Sequence, residues 1–206
     1  LQEQLEACIR QIEARLAYPV FVKPVNLGSS VGITKCNNPS SLLEGLLEAS
    51  RYDRRVLVEQ GINGREIEIS VLGNEDPIAS VPGEIEPVEE FYTYSAKYLS
   101  NASRLIIPAK LDETIAASIH QIALQAYRAV DGAGMARVDF LVERESNRIF
   151  LSEVNTIPGF TRISMYAKLW EASGISYTTL IDRLVELAFE RKQDRDQTVR
   201  VYRSAE

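Results

Sequence analysis

Ala136-Arg137-Val138-Asp139-Phe140-Leu141-Val142 and Arg148-Ile149-Phe150-Leu151-Ser152-Glu153-Val154, the second run on into Asn155, read as the two arms of a β-hairpin. The polar segment 143–147 between them reads as its turn. A hairpin centred on Ser146 sets Asp139 opposite Glu153 and Arg137 opposite Asn155. Side chains alternate along a strand, so all four then project from one face. Directly opposed carboxylates repel unless something positive lies between them. Asp, Glu and an Asn carbonyl are hard oxygen donors that suit Mg²⁺ bound together with phosphate. The same pattern also fits a solvent-facing polar hairpin, so the choice rests on the rest of the chain.

The 206 residues are 45% hydrophobic and 25% charged, with net charge −6. That is enough chain to bury a core in one large domain or two small ones. The acidic balance, with no basic stripe, argues against nucleic acid as a partner. No apolar run approaches the roughly 20 residues of a membrane span, and no signal peptide opens the chain. Cys8 and Cys36 lack metal-like spacing and read as thiols of a reducing cytosol. His120, the single histidine, falls inside a helical pattern and reads as structural and solvated. The chain opens on Leu1 and enters a helix at once, with apolar residues at helical spacing to Leu16. This start resembles the middle of a domain and suggests that a preceding segment is missing.

Outward from the hairpin, the order is α/β. A strand over Val20–Val25 is followed by the Gly/Ser loop Asn26–Gly32 and a strand Ile33–Cys36. A helix opens at Asn38-Pro39, with Asn as cap and Pro at its first position, and runs to about Ser50. Strands follow at Arg55–Gln60, Arg65–Leu72 and Pro77–Val81. Pro82–Ser103 reads as a long irregular segment, and loops of such length usually serve as lids or are disordered. Its Phe91, Tyr92, Tyr94 and Tyr98 argue against simple disorder. A short strand Arg104–Ile107 and a helix over about Asp112–Val130 lead to the hairpin. Helices over about Met165–Ala172 and Tyr177–Arg191 follow, and from Lys192 the pattern is a charged, aperiodic tail.

Lys23 lies in an otherwise apolar strand and needs water or a negative partner. Gly28, Ser29, Ser30 and Gly32 could bring backbone N–H groups and hydroxyls to a phosphate, or could simply turn the chain. Gly28-x-Ser30-x-Gly32 also fits a hydrolase nucleophile elbow, but a strand rather than a helix follows it and only His120 could act as base. Glu59, Gln60 and Glu66 mark acidic strand ends. Lys97-Tyr98 is a basic and aromatic pair on the long segment. Pro158-Gly159 exposes a backbone N–H, a possible oxyanion donor.

In order, Val22-Lys23-Pro24 with Gly28-Ser29-Ser30-Val31-Gly32, Val58-Glu59-Gln60-Gly61 with Arg65-Glu66, Tyr92-x-Tyr94-x-x-Lys97-Tyr98, Arg137-x-Asp139, and Glu153-x-Asn155-Thr156-x-Pro158-Gly159-Phe160-Thr161 resemble the D-alanine–D-alanine ligases of the ATP-grasp superfamily. The resemblance runs from about Tyr18 to Arg191. It implies an α/β (α+β) ATP-grasp fold: a partial central subdomain over 1–62, a C-terminal subdomain over 63–191 and a tail over 192–206. It implies ATP with two Mg²⁺ (or Mn²⁺) ions, D-alanine as substrate, a cytoplasmic enzyme of cell-wall synthesis, and a homodimer when full-length.

By the same resemblance, Lys23 would hold the α- and β-phosphates, and Gly28, Ser29 and Ser30 would close over them. Glu59, Gln60 and Ile62 would line the adenine pocket, and Glu66 would take the ribose. Lys97 would touch the γ-phosphate and Tyr98 would seal the lid. Asp139, Glu153 and Asn155 would bind metal, while Arg137 and the Gly159 N–H would stabilise the tetrahedral intermediate. Ser164 and Met165 would form the second D-alanine subsite. Thr93, Ser95 and Gln60 depart from residues common in the family. The family's N-terminal domain and a further phosphate-binding lysine have no counterpart here. Two alternatives follow: a nucleotide-binding fragment inactive without that domain, or another carboxylate–amine ligase.

Overall fold

A computed structural model of the chain describes residues 2–87, 103–161 and 164–197. Contacts divide it into two units, Leu1–Asn63 with Pro87–Ser103 and Gly64–Glu86 with Arg104–Glu206.

The first unit is an antiparallel sheet of β1 (Val20–Pro24), β2 (Thr34–Cys36) and β3 (Val56–Gln60), in the order β2-β1-β3. Helices α1 (Gln2–Glu13) and α2 (Pro39–Ser50) accompany it. Alternation along β1 sends Val20 and Val22 into a core with Cys36, Leu42 and Ala49, against which Ile9, Ile12 and Leu16 pack. Asn38 caps α2 in a capping box with Ser41: its side chain accepts from the Ser41 N–H, and the Ser41 hydroxyl accepts from the Asn38 N–H. The odd-numbered partners Phe21 and Lys23 take the opposite face of β1.

The second unit is built on β4 (Gly64–Gly73), β5 (Ile78–Ala79), β6 (Gly83–Pro87), β7 (Ser103–Ile106), β8 (Gly134–Glu143) and β9 (Ile149–Asn155). Their order is β7-β6-β4-β8-β9, with β5 paired to β4. Ile67, Ile69 and Val71 of β4 and Ala136, Val138, Phe140 and Val142 of β8 form one face. Helix α3 (Glu113–Ala129) covers that face with Ile119, Ala123 and Tyr127. The Tyr127 hydroxyl donates to the Gly73 carbonyl at 2.7 Å, and burial pushes its pKa up to about 12. The other face carries Glu66, Glu68, Ser70 and Leu72 on β4 and Met135, Arg137 and Asp139 on β8. At the Leu72–Met135 end it is capped by α4 (Met165–Ala172) and α5 (Tyr177–Gln197), through Tyr166, Trp170, Leu180 and Leu187.

Three elements depart from the sequence reading. Helix α5 continues through Lys192 to Gln197 where a charged tail is expected. The extension is held by ion pairs: Arg191 with Asp131 and Asp194, and Lys192 with Asp196. The start of the expected irregular segment is strand β6, hydrogen-bonded to β4. Its Pro and Gly residues hide it. Gly83 lets the Leu169 side chain come close, since a Cβ there would lie 2.7 Å from Leu169 Cδ2. Glu84 points inward to a two-pronged ion pair with Arg65, Nε–Oε1 at 2.8 Å and Nη2–Oε2 at 2.6 Å. Finally, β9 carries a β-bulge. Asp139 pairs with Glu153, but Phe140 pairs with Leu151, leaving Ser152 as an extra residue.

His120, on α3, is not solvated as expected but half-buried, and that burial holds it below the ordinary histidine range. The unfolded chain then takes up this proton first. Stability is unaffected above about pH 6.5 and falls as pH drops through that value. Melting temperatures measured from pH 7.5 to 5 should fall more steeply for the native chain than for His120→Gln.

Candidate active site

In the first unit, Lys23 finds its negative partner across the sheet. Phe21 pairs with Glu59 and Lys23 with Leu57, so Lys23 and Glu59 are diagonal neighbours on one face. Their Nζ and Oε2 lie 2.7 Å apart. The Gln60 amide is committed to backbone: Nε2 donates to the Ala17 carbonyl at 2.7 Å, and Oε1 accepts from the Ala17 N–H at 2.9 Å. Beside it, the Gly61 N–H donates to the Pro19 carbonyl at 2.8 Å. A Cβ on Gly61 would sit 2.6 Å from that oxygen, and neither backbone can yield. Gly61→Ala should lower the urea midpoint of the chain by an amount equal to about 1–3 kcal/mol.

The Gly/Ser loop leaves β1 through a tight tether. Asp53 accepts from the Asn26 N–H at 2.9 Å and from its Nδ2 at 2.6 Å, and also from the Arg55 N–H at 3.0 Å. The Arg55 N–H bond is the largest cause holding the Asp53 carboxyl below its usual range. At the loop's tip Ser29 and Ser30 adopt φ of 56° and 61°, both left-handed, followed by Gly32 at 72°. Non-glycine residues there cost on the order of 1–2 kcal/mol each. Such cost in a turn is a recurring mark of ligand-contacting loops. Sequence reading did not find Asp53, because a lone carboxylate after a helix carries no local signal.

In the second unit, Glu68, Asp139 and Glu153 form one row across β4, β8 and β9. Arg137 lies beside the row, opposite Asn155. Its Nε and Nη2 donate to Asp139 Oδ1 and Oδ2 at 2.7 and 2.6 Å, and its Nε lies 3.2 Å from Glu68 Oε2. Asn155 Nδ2 bridges Asp139 Oδ2 and Glu153 Oε1 at 3.1 and 3.0 Å. Burial opposes the Arg137 charge, but its bonds to Asp139 and the charges of Glu68 and Glu153 outweigh this and raise its pKa. Burial pushes the Asp139 carboxyl up. Arg137 pulls it back, and Glu153 adds to the rise.

One cation among the three carboxylates of this row leaves the row net negative, a setting that suits a cation. Among the described residues no group of three or more His, Cys, Asp or Glu is set to hold a metal by itself. Asp139, Glu153 and an Asn155 carbonyl would therefore need ligand oxygens to complete a shell, as Mg²⁺ bound with phosphate does. Glu66 lies on the same face of β4 as Glu68. Helix α4 is fixed to β4 by the Ser70 hydroxyl on the Tyr166 carbonyl and the Tyr166 hydroxyl on the Val71 carbonyl. That anchor places the preceding turn, where the Ser164 hydroxyl accepts from the Thr161 N–H at 2.9 Å. A Cβ on Gly159 would lie 3.2 Å from this hydroxyl, and Met165 is buried. Lys97 and Tyr98 lie outside the described residues.

Each unit lays helices on an antiparallel sheet, the build of the ATP-grasp fold, and solved ATP-grasp ligases match it. The D-alanine–D-alanine ligase from Coxiella burnetii gives a TM-score of 0.82 at 41% identity, covering 94% of this chain and 51% of that one. The VanG D-Ala:D-Ser ligase from Enterococcus faecalis gives 0.80 at 38%, covering 88% and 53%. Residues 1–186 match the family described as D-ala D-ala ligase C-terminus, and the chain belongs to it. The D-alanine–D-alanine ligase of Clostridium acetobutylicum is 56% identical over 90% of this chain and 54% of its own length. That of Heliobacterium modesticaldum is 52% identical over 93% and 52%. The chain thus spans about half the length of the curated relatives it matches.

Proposed function

We propose that this chain carries the ATP- and metal-binding part of a D-alanine–D-alanine ligase. The observation that carries the reading is the sheet face on which Arg137 is held among Glu68, Asp139 and Glu153, in a chain of this family. In the proposed reaction a carboxylate oxygen of one D-alanine attacks the γ-phosphorus of ATP, and ADP leaves. The amine of a second D-alanine attacks the resulting acyl phosphate, phosphate departs and the nitrogen loses a proton.

Lys23, now paired with Glu59, would turn to the α- and β-phosphates, and Gly28, Ser29 and Ser30 would enclose them. Glu59, Gln60 and Ile62 would border the adenine, with Gln60 holding the strand end through its backbone bonds. Glu66 would accept from the ribose hydroxyls. Asp139, Glu153 and Asn155 would hold Mg²⁺ or Mn²⁺, two ions, which would neutralise phosphate charge. Arg137 and the Gly159 N–H would face the carbonyl oxygen as it gains charge. Lys97 would meet the γ-phosphate, Tyr98 would exclude water, and Ser164 and Met165 would receive the second D-alanine. We assign the full-length protein to the cytoplasm as a homodimer. Among the described residues no helix is long and apolar enough to cross a membrane.

Phosphate release by the full-length protein with ATP, Mg²⁺ and D-alanine tests the reading. Stimulation by D-alanine with formation of the dipeptide supports it; no stimulation sinks it. A D-serine arm decides the second substrate, since one similar structure is a D-Ala:D-Ser ligase.

A further inference from the structure

The geometry points to Glu68 as the positioning residue for Arg137, a second anchor that keeps the guanidinium in place when Asp139 gives its charge to a cation. What Arg137 is positioned to do rests on the ligase reading above; the positioning itself does not.

Glu68 is the register partner of Asp139 on the neighbouring strand, and it is only 7% exposed. Burying a third carboxylate beside a second is unfavourable unless it is compensated. Arg137 is already gripped by both oxygens of Asp139, so the fold alone does not call for another acid there. Yet Glu68 Oε2 lies 3.2 Å from Arg137 Nε, the same nitrogen that donates to Asp139 Oδ1. Nε thus donates its N–H to Asp139 on its own strand, while Glu68 on β4 holds the same nitrogen by charge, its Oε2 buried and not hydrogen-bonded. Any cation bound by Asp139 competes with Arg137 for the same oxygens and repels it. With Glu68 absent, the guanidinium would swing away with the loss of its main partner. With Glu68 present, Nε remains tethered toward β4, and Nη2, released from Asp139, can face a group gaining negative charge. The sequence signal is faint: Glu66 and Glu68 look alike on an alternating strand, and only the register with Asp139 separates their roles.

The test uses the full-length protein and the isosteric Glu68→Gln. Turnover should fall at least about tenfold while KM for ATP changes less than about threefold. Independently, the ¹⁵N-edited Arg137 Nε–H resonance should stay protected when Mg²⁺ and a non-hydrolysable ATP analogue are added to the native protein. In Glu68→Gln it should be lost to exchange. Glu68→Asp keeps the charge at shorter reach, should restore both readouts in part, and serves if the Gln variant fails to fold. Native-like turnover, or a native-like Nε–H response to Mg·nucleotide, overturns the inference. If the native protein shows no D-alanine-dependent phosphate release, the ligase reading fails and the resonance alone decides the positioning.

Discussion

Arg137→Ala should lower the stability of the chain by about 3–5 kcal/mol, the usual cost of removing one partner from a buried ion network. For a protein of this size that is a fall of about 10 °C in melting temperature. The size follows from what remains. Glu68 and Asp139 sit directly opposite each other on β4 and β8, and Arg137 is the cation that ion-pairs with both. Arg137→Lys keeps the charge but loses the fork that spans both Asp139 oxygens, so its melting temperature should fall between the two. A calorimetric scan of the three chains checks the order. Equal melting temperatures for Arg137→Ala and the native chain would mean that the carboxylates are solvated and the face is merely a polar surface. In the full-length protein, on the proposed ligase reading in which Arg137 faces the reacting oxygen, the alanine variant should also lose about 10²–10³-fold in kcat.

Asp139→Asn should weaken Mg·ATP binding at least about tenfold, as loss of a carboxylate at a metal site commonly does. Glu153→Gln should do the same to a smaller degree, because Glu153 is the more exposed of the pair and accepts from Asn155 rather than from Arg137. Neither change should disturb the core, since Val138 and Val154 face the other way. Calorimetric titration with ATP at fixed free Mg²⁺ checks both. If both variants bind like the native chain, the metal assignment falls.

What was legible in advance was what alternation and capping govern. The β8–β9 pairs at the site, the Asn38 cap and the run of α3 follow from period and from single residues. Less visible was anything that depends on a distant strand. Glu68 gains its meaning from a register seventy residues along the chain, and Asp53 from a turn that returns to Asn26. Strand β6 was masked by its own Pro and Gly, because its reason to pair lies in Arg65 and in the close approach of Leu169. The Lys23–Glu59 pair shows a similar limit. Each residue was expected to meet a ligand, and in the folded chain each meets the other.

The extra residue at Ser152 acts as a phase inverter. Ile149, Leu151, Glu153 and Asn155 are all odd-numbered, and an unbroken strand would send them to one side. Instead Ile149 and Val154 both pack on the core, while Glu153 and Asn155 reach the opposite face beside Asp139. A single inserted position thus lets one short strand serve the hydrophobic layer near its turn and the polar site at its end. Deleting Ser152 would leave composition, charge and hairpin intact. Glu153 and Asn155 would keep to the Asp139 face, because Leu151 and Glu153 would then alternate without a break. An unbroken ladder that retained Ser152 would instead set Ser152 opposite Asp139 and turn Glu153 and Asn155 into the core layer, a loss by parity rather than by chemistry.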